Sequence, residues 1–126
     1  MNEHVTEAVA AAANAYCPYS GFHVGAVVVA PDGRSWSGCN VENAAYGSAV
    51  CAEVNALTSA VAAGHTGPSV LYIACPDAEK VASVSPCGNC RQFAHELGVE
   101  KMVLTVDGTE VVEYPIDELL PHGFEL

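Results

Sequence analysis

Basic residues are scarce in this chain. Arg34, Lys80, Arg91 and Lys101 stand against 15 acidic side chains, giving a formal net charge of −11 over 126 residues. Attraction to a phosphate backbone begins with clustered Lys and Arg, so a DNA or RNA polymer is excluded as an expected partner. A small neutral ligand is not disfavoured. The first residues do not read as a leader or membrane segment either: in MNEHVTEAVAAAANAY no basic stretch precedes the apolar run, and Glu3, Glu7 and Asn14 interrupt it. Neither an export signal nor a membrane anchor is expected, and cytoplasmic residence follows as the default. Thiols there stay reduced, so the even count of six cysteines does not imply a disulfide framework. Repeats, low-complexity segments and a polar linker are also absent. With 51% hydrophobic and 15% charged residues, disorder is excluded. A chain of this length buries about two thirds of its unfolded surface, and it reads as one domain over residues 1–126. The low charge fraction also fits a surface partly covered by identical subunits.

What is present is a regular alternation of elements. Residues 3–15, rich in Ala with acidic residues near the start, predict a helix. YCPYSGF is a loop broken by Pro18 and Gly21. VGAVVVA (24–30), the turn PDG (31–33) and SWSGCNV (35–41) predict a hairpin. A helix over 51–63 ends at Gly64, and SVLYIAC (69–75) predicts a buried strand. A helix over 88–97 closes at Gly98, strands follow at 101–106 and 110–114, and IDELL is a short helix stopped by Pro121. The order α-β-β-α-β-α-β-β-α predicts an α/β fold: a three-layer α/β/α domain on a mixed five-stranded sheet.

The chemistry concentrates in SPCGNCRQF, Ser85 to Phe93. A C-x-x-C pair serves as a redox dithiol, as half of a structural zinc site or as part of a catalytic one. Cys51 opens the helix after NVENAAYGSAV and Cys87 opens the helix after VASVSP, where helix N-termini favour the thiolate. Cys90 lies one turn beyond Cys87 on the same face. Three thiolates can then meet one Zn²⁺ at about 2.3 Å each and leave a fourth position open, the feature of a catalytic zinc that acidifies water. Glu53, in Cys51-Ala52-Glu53, is placed to shuttle protons beside it. C-x-E followed by P-C-x-x-C is the established zinc deaminase signature, so this is a match to a known pattern. Two rival readings stand beside it. One is a thiol redox pair; the other is an all-cysteine structural site with Cys17, Cys39 or Cys75 as fourth ligand. Otherwise those three cysteines read as small core residues. His4, His23, His65, His95 and His122 show no ligand spacing and read as structural or surface residues.

YCPYSGFHVGAVVV, GCNVENAAYG, VCAE, SPCGNCRQ and LLPHGF occur in this order over nearly the whole chain. Together they resemble the small homotetrameric cytidine deaminases, with N-x-E-N separating these from the related blasticidin S deaminases. The resemblance implies that Cys51, Cys87 and Cys90 hold one zinc per subunit and that Glu53 moves protons. It further implies that Asn40 and Glu42 hydrogen-bond the ribose hydroxyls, that the Ala52 N–H binds the pyrimidine carbonyl and that Phe22 packs on the base. The Ser85 carbonyl would face the departing amine, and Tyr46 and Phe124 would reach sites shared between subunits of a homotetramer. The implied reaction converts cytidine and 2′-deoxycytidine to uridine and 2′-deoxyuridine with release of ammonia, in pyrimidine salvage. The alternatives are a same-fold deaminase of another aminopyrimidine nucleoside and a non-catalytic zinc or thiol protein. One departure stands out: Val54 occupies the position where the family commonly carries Arg. The excess negative charge of three thiolates must then be offset by the two helix ends, with Arg91 or Asn55 as further candidates.

Overall fold

The hairpin forms around PDG. In the computed structural model, which describes residues 2–126, β1 (Gly25–Val29) and β2 (Ser35–Cys39) pair antiparallel across a turn with Gly33 at φ +92°. β1 also pairs antiparallel with β3 (Ser69–Ala74). β3 runs parallel to β4 (Val99–Thr105), and β5 (Val111–Pro115) returns antiparallel to β4. The sheet order is β2-β1-β3-β4-β5, a mixed five-stranded sheet as expected. Among the described residues four α-helices accompany it: α1 (Glu3–Ala12), α2 (Ala52–Ala62), α3 (Gly88–Glu96) and α4 (Ile116–Leu119).

The period of two along the strands sorts side chains onto two faces. Ala26, Val28, Leu71, Ile73, Met102 and Leu104 join Ala56, Leu57 and Ala60 of α2 in the larger core. Val27 and Ala74 meet Ala8 of α1 on the opposite face. That second layer is a single helix, and the same side of β4 and β5 carries an exposed Lys101–Glu113 ion pair. Two glycines set how closely the layers approach. A Cβ at Gly25 would overlap the Ala8 carbonyl oxygen, and one at Gly38 would overlap the Ala56 nitrogen. Gly25→Ala is therefore expected to cost about 3 kcal/mol as α1 is forced off the sheet. Gly47→Ala, with nothing within 4 Å of its added carbon, should stay within about 0.5 kcal/mol. Urea unfolding midpoints check both.

The element boundaries differ from expectation where local hydrogen bonding changes. α1 stops at Ala12 because Ala13, Asn14 and Ala15 each donate to the carbonyl three residues back, a tightened final turn. β2 ends at Cys39, and the chain then serves other partners: Asn40 O accepts from Tyr16 N, while Val41 bridges both Tyr16 and Val50. β4 begins two residues earlier than the sequence pattern indicates, since Gly98 at φ +89° turns α3 directly into it. Two single-turn 3₁₀ helices, Tyr46–Ser48 and Val81–Val84, were not anticipated. Among the described residues no helix is long and apolar enough to cross a membrane.

Candidate active site

α2 and α3 both start next to a cysteine. Cys51 caps α2 and Cys87 caps α3, each in extended conformation and without a side-chain capping bond, so the partial positive ends of two helices sit beside thiols. Cys90, buried in the first turn of α3, adds the third sulfur. The Sγ atoms of Cys51, Cys87 and Cys90 all lie within 4.8 Å of one another. Cys87 and Cys90 are 3.5 Å apart. Tetrahedral ligands at zinc–sulfur distance stand about 3.8 Å from each other, so this spacing and this donor set fit one Zn²⁺. No other such cluster of His, Cys, Asp or Glu occurs among the described residues. The Cys90 thiol donating to Cys51 holds it down at about 7, against the opposing effects of burial and of Glu53. The same bond, with burial, keeps Cys90 protonated.

Glu53, in the first turn of α2, is 5% exposed. Burial pushes its carboxyl above the ordinary carboxylate range, and hydrogen bonds from its own backbone and the Cys90 thiol only partly oppose this. A carboxyl moved towards neutrality suits a group that both takes and gives protons. It opens, with Cys51, Ala52 and Cys87, onto a cavity of about 260 Å³. Phe22, Val24, Asn40, Glu42 and Ser85 also line it. Six of the eight expected contact and proton-moving residues thus line one pocket: Phe22, Asn40, Glu42, Ala52, Glu53 and Ser85.

A sequence model of the cytidine and deoxycytidylate deaminase zinc-binding region matches residues 1–106. The chain belongs to that family. The cytidine deaminase of Mycobacterium tuberculosis is 38% identical over 124 residues, covering 94% of this chain and 85% of that protein. A probable cytidine deaminase of Dictyostelium discoideum is 36% identical over 110 residues, covering 87% of this chain and 74% of that protein. The crystal structure of the cytidine deaminase from Burkholderia pseudomallei superposes with a TM-score of 0.89 at 40% identity, covering 97% of each chain.

Within this deaminase domain, Tyr46 and Phe124 lie outside the pocket lining. Tyr46 is 83% exposed on its 3₁₀ turn and Phe124 is 65% exposed. The tail that carries Phe124 is tied down: Gln92 donates to the Phe124 carbonyl at 3.0 Å and accepts from its N–H at 3.1 Å. Arg91 donates to the carbonyls of Pro86 (2.8 Å) and Leu119 (2.7 Å) and to Ser85 Oγ (2.9 Å). It pins the loop before Cys87 to the end of α4, and none of these bonds goes to a sulfur. Asn55 accepts from the Cys39 N–H at 2.9 Å, joining α2 to β2. The helix ends capped by Cys51 and Cys87 remain beside the thiols to offset their charge.

The sequence reading missed several pocket residues. Cys75 is buried as expected of a core cysteine, yet it also forms pocket wall. Ser20 lines the pocket, its hydroxyl donating to Glu42 Oε2 and accepting from the Phe22 N–H at 3.0 Å. A serine two residues before an aromatic in a Gly-containing loop is the available signal for that turn.

Proposed function

We propose that this chain hydrolyses the 4-amino group of cytidine and 2′-deoxycytidine, giving uridine or 2′-deoxyuridine and ammonia. The observation that carries the reading is a buried carboxyl, Glu53, opening onto the same cavity as three converging thiols. Zinc held by Cys51, Cys87 and Cys90 supplies Lewis acidity that makes water nucleophilic near neutral pH. Glu53 takes a proton from the attacking water and gives it to N3, which makes C4 electrophilic. As the water oxygen bonds to C4, Glu53 is freed to take the second proton from the new C4 hydroxyl and deliver it to the amine, which leaves as ammonia while the C4–N bond breaks and the C4 carbonyl forms. The Ala52 N–H holds the pyrimidine carbonyl, Phe22 packs on the ring and the Ser85 carbonyl receives the amine. Asn40 and Glu42 take the sugar hydroxyls. Tyr46 and Phe124, projecting from the surface, complete neighbouring sites in a cytoplasmic homotetramer serving pyrimidine salvage.

Loss of cytidine absorbance on mixing tests the activity directly. Glu42 adds a prediction about substrate class. Its carboxylate is held below the ordinary range by the Ser20 hydroxyl and the Ser20 and Tyr19 N–H groups, so it is charged at neutral pH. A fixed negative charge at the sugar end repels a phosphate. kcat/KM for cytidine is expected to exceed that for the 5′-monophosphate by about 100-fold, which is about 2.7 kcal/mol. Equal values in a side-by-side assay would contradict this placement of Glu42.

A further inference from the structure

Between Tyr19 and Val24 almost no amide finds a backbone partner. Tyr19 N–H and Ser20 N–H donate to Glu42 Oε1 at 2.9 and 3.1 Å, and Phe22 N–H donates to Ser20 Oγ. Val24 N–H donates to Asn40 Oδ1 at 2.8 Å, and His23 N–H donates to Asp77 Oδ2 at 2.8 Å. Gly21 alone uses a carbonyl, that of Cys17. The wall carrying Phe22 and Val24 is thus shaped by side-chain acceptors. Glu42 and Asn40 also face the substrate, so their variants cannot separate holding the wall from touching the ligand.

Asp77 does not line the pocket. We propose that Asp77 is a positioning residue for substrate binding: through His23 it fixes the Phe22–Val24 wall against the end of β3. His23 sits between two pocket residues, and its own contacts lead to Asp77. A single oxygen, Asp77 Oδ2, accepts both the His23 backbone N–H and His23 Nδ1, each at 2.8 Å. Nδ1 also faces the Gly21 carbonyl at 3.2 Å. Both partners are acceptors, so Nδ1 carries the proton, and the contact holds whether or not Nε2 is protonated. Asp77 follows Cys75 by two residues, so the bond joins the loop wall to the wall at the end of β3. The Asp77 carboxyl lies below its ordinary range, its largest cause being the His23 backbone bond.

The role rests on the deaminase reading above, and the experiment separates the two. Asp77→Ala, in the full zinc-loaded protein, is expected to raise KM for cytidine about fivefold to tenfold with kcat within about twofold and zinc content unchanged. Because both bonds end on one oxygen, Asp77→Asn can accept them both and should recover most of the affinity. Amide hydrogen exchange over residues 22–24 provides a readout without turnover: it should accelerate in Asp77→Ala and stay slow in Asp77→Asn. His23→Ala, which keeps the backbone bond and loses the ring bond, should fall between and serves if Asp77→Ala does not fold. Unchanged KM and exchange in Asp77→Ala, or a loss in kcat alone, would overturn the role. Wild-type protein that deaminates no cytosine nucleoside while its exchange pattern responds as described would overturn the function and leave the positioning role standing.

Discussion

Glu53→Gln is expected to lower kcat by about 10³-fold while zinc stays at one ion per chain and KM changes little. General acid–base catalysis by one positioned group contributes about 10²–10⁴ in rate, and here one group serves both halves of the reaction. Gln matches Glu in shape, so the 5% exposed site neither opens nor collapses. It cannot cycle a proton. The site disfavours charge at this position, as the raised carboxyl shows, so the neutral variant should melt at or above the wild-type temperature. Loss of activity accompanied by loss of zinc would point instead to a structural part for Glu53. Undiminished turnover would reject its proton-moving role. Single-turnover kinetics, metal analysis and a melting curve distinguish these results.

The fold was legible where the local signals agree with tertiary demand. PDG between two apolar runs placed the hairpin, and Gly98 at φ +89° marked the end of α3. The overlong first helix has a different origin. Asn14 and Ala15 fit helix composition, but Ala15 bonds as a 3₁₀ turn and Tyr16 leaves to pair with the carbonyl of Asn40. No property of residues 3–15 announces that distant partner. The single helix on the α1 face was equally hidden, since strand patterns report burial without saying how far a covering layer extends.

The site divides along the same line. Cys51, Glu53, Cys87 and Cys90 were readable because helix geometry places residues one turn apart on one face and puts cysteines at two helix starts. The rival with four protein ligands has no support, since Cys17, Cys39 and Cys75 do not join the cluster of three. The wall that shapes the cavity was not readable. Its bonds run from Glu42 to Tyr19 and Ser20, 22 or 23 residues apart, and from Asp77 to His23, 54 apart. His23 therefore passed as a surface residue, which its exposure supports, while its backbone sits between two pocket residues. Arg91, a candidate partner for the thiolates, instead braces the Ser85–Pro86 loop.

Cys87→Ala is expected to abolish metal binding and turnover together, by at least about 10³-fold in kcat/KM, with the domain still folded. Cys87 is exposed, so removing its sulfur leaves no buried void, and the cost of the change falls on the metal. Cys51 caps α2 whereas Cys87 caps α3 and Cys90 lies in its first turn, so an ion held by all three ties the two helices together. Ligand binding to the native state alone stabilises by RT ln(1 + [L]/Kd), about 4 kcal/mol at a thousandfold excess over Kd. A chelator should accordingly lower the wild-type melting temperature by about 10 °C or more. The same chelator should leave Cys87→Ala where it already is. Cys39→Ala, a half-buried thiol on β2 outside the pocket, should keep its zinc, its activity and the full chelator response. Stoichiometric zinc and wild-type turnover in Cys87→Ala would mean that two thiolates suffice and that the three-sulfur centre is not the seat of the chemistry.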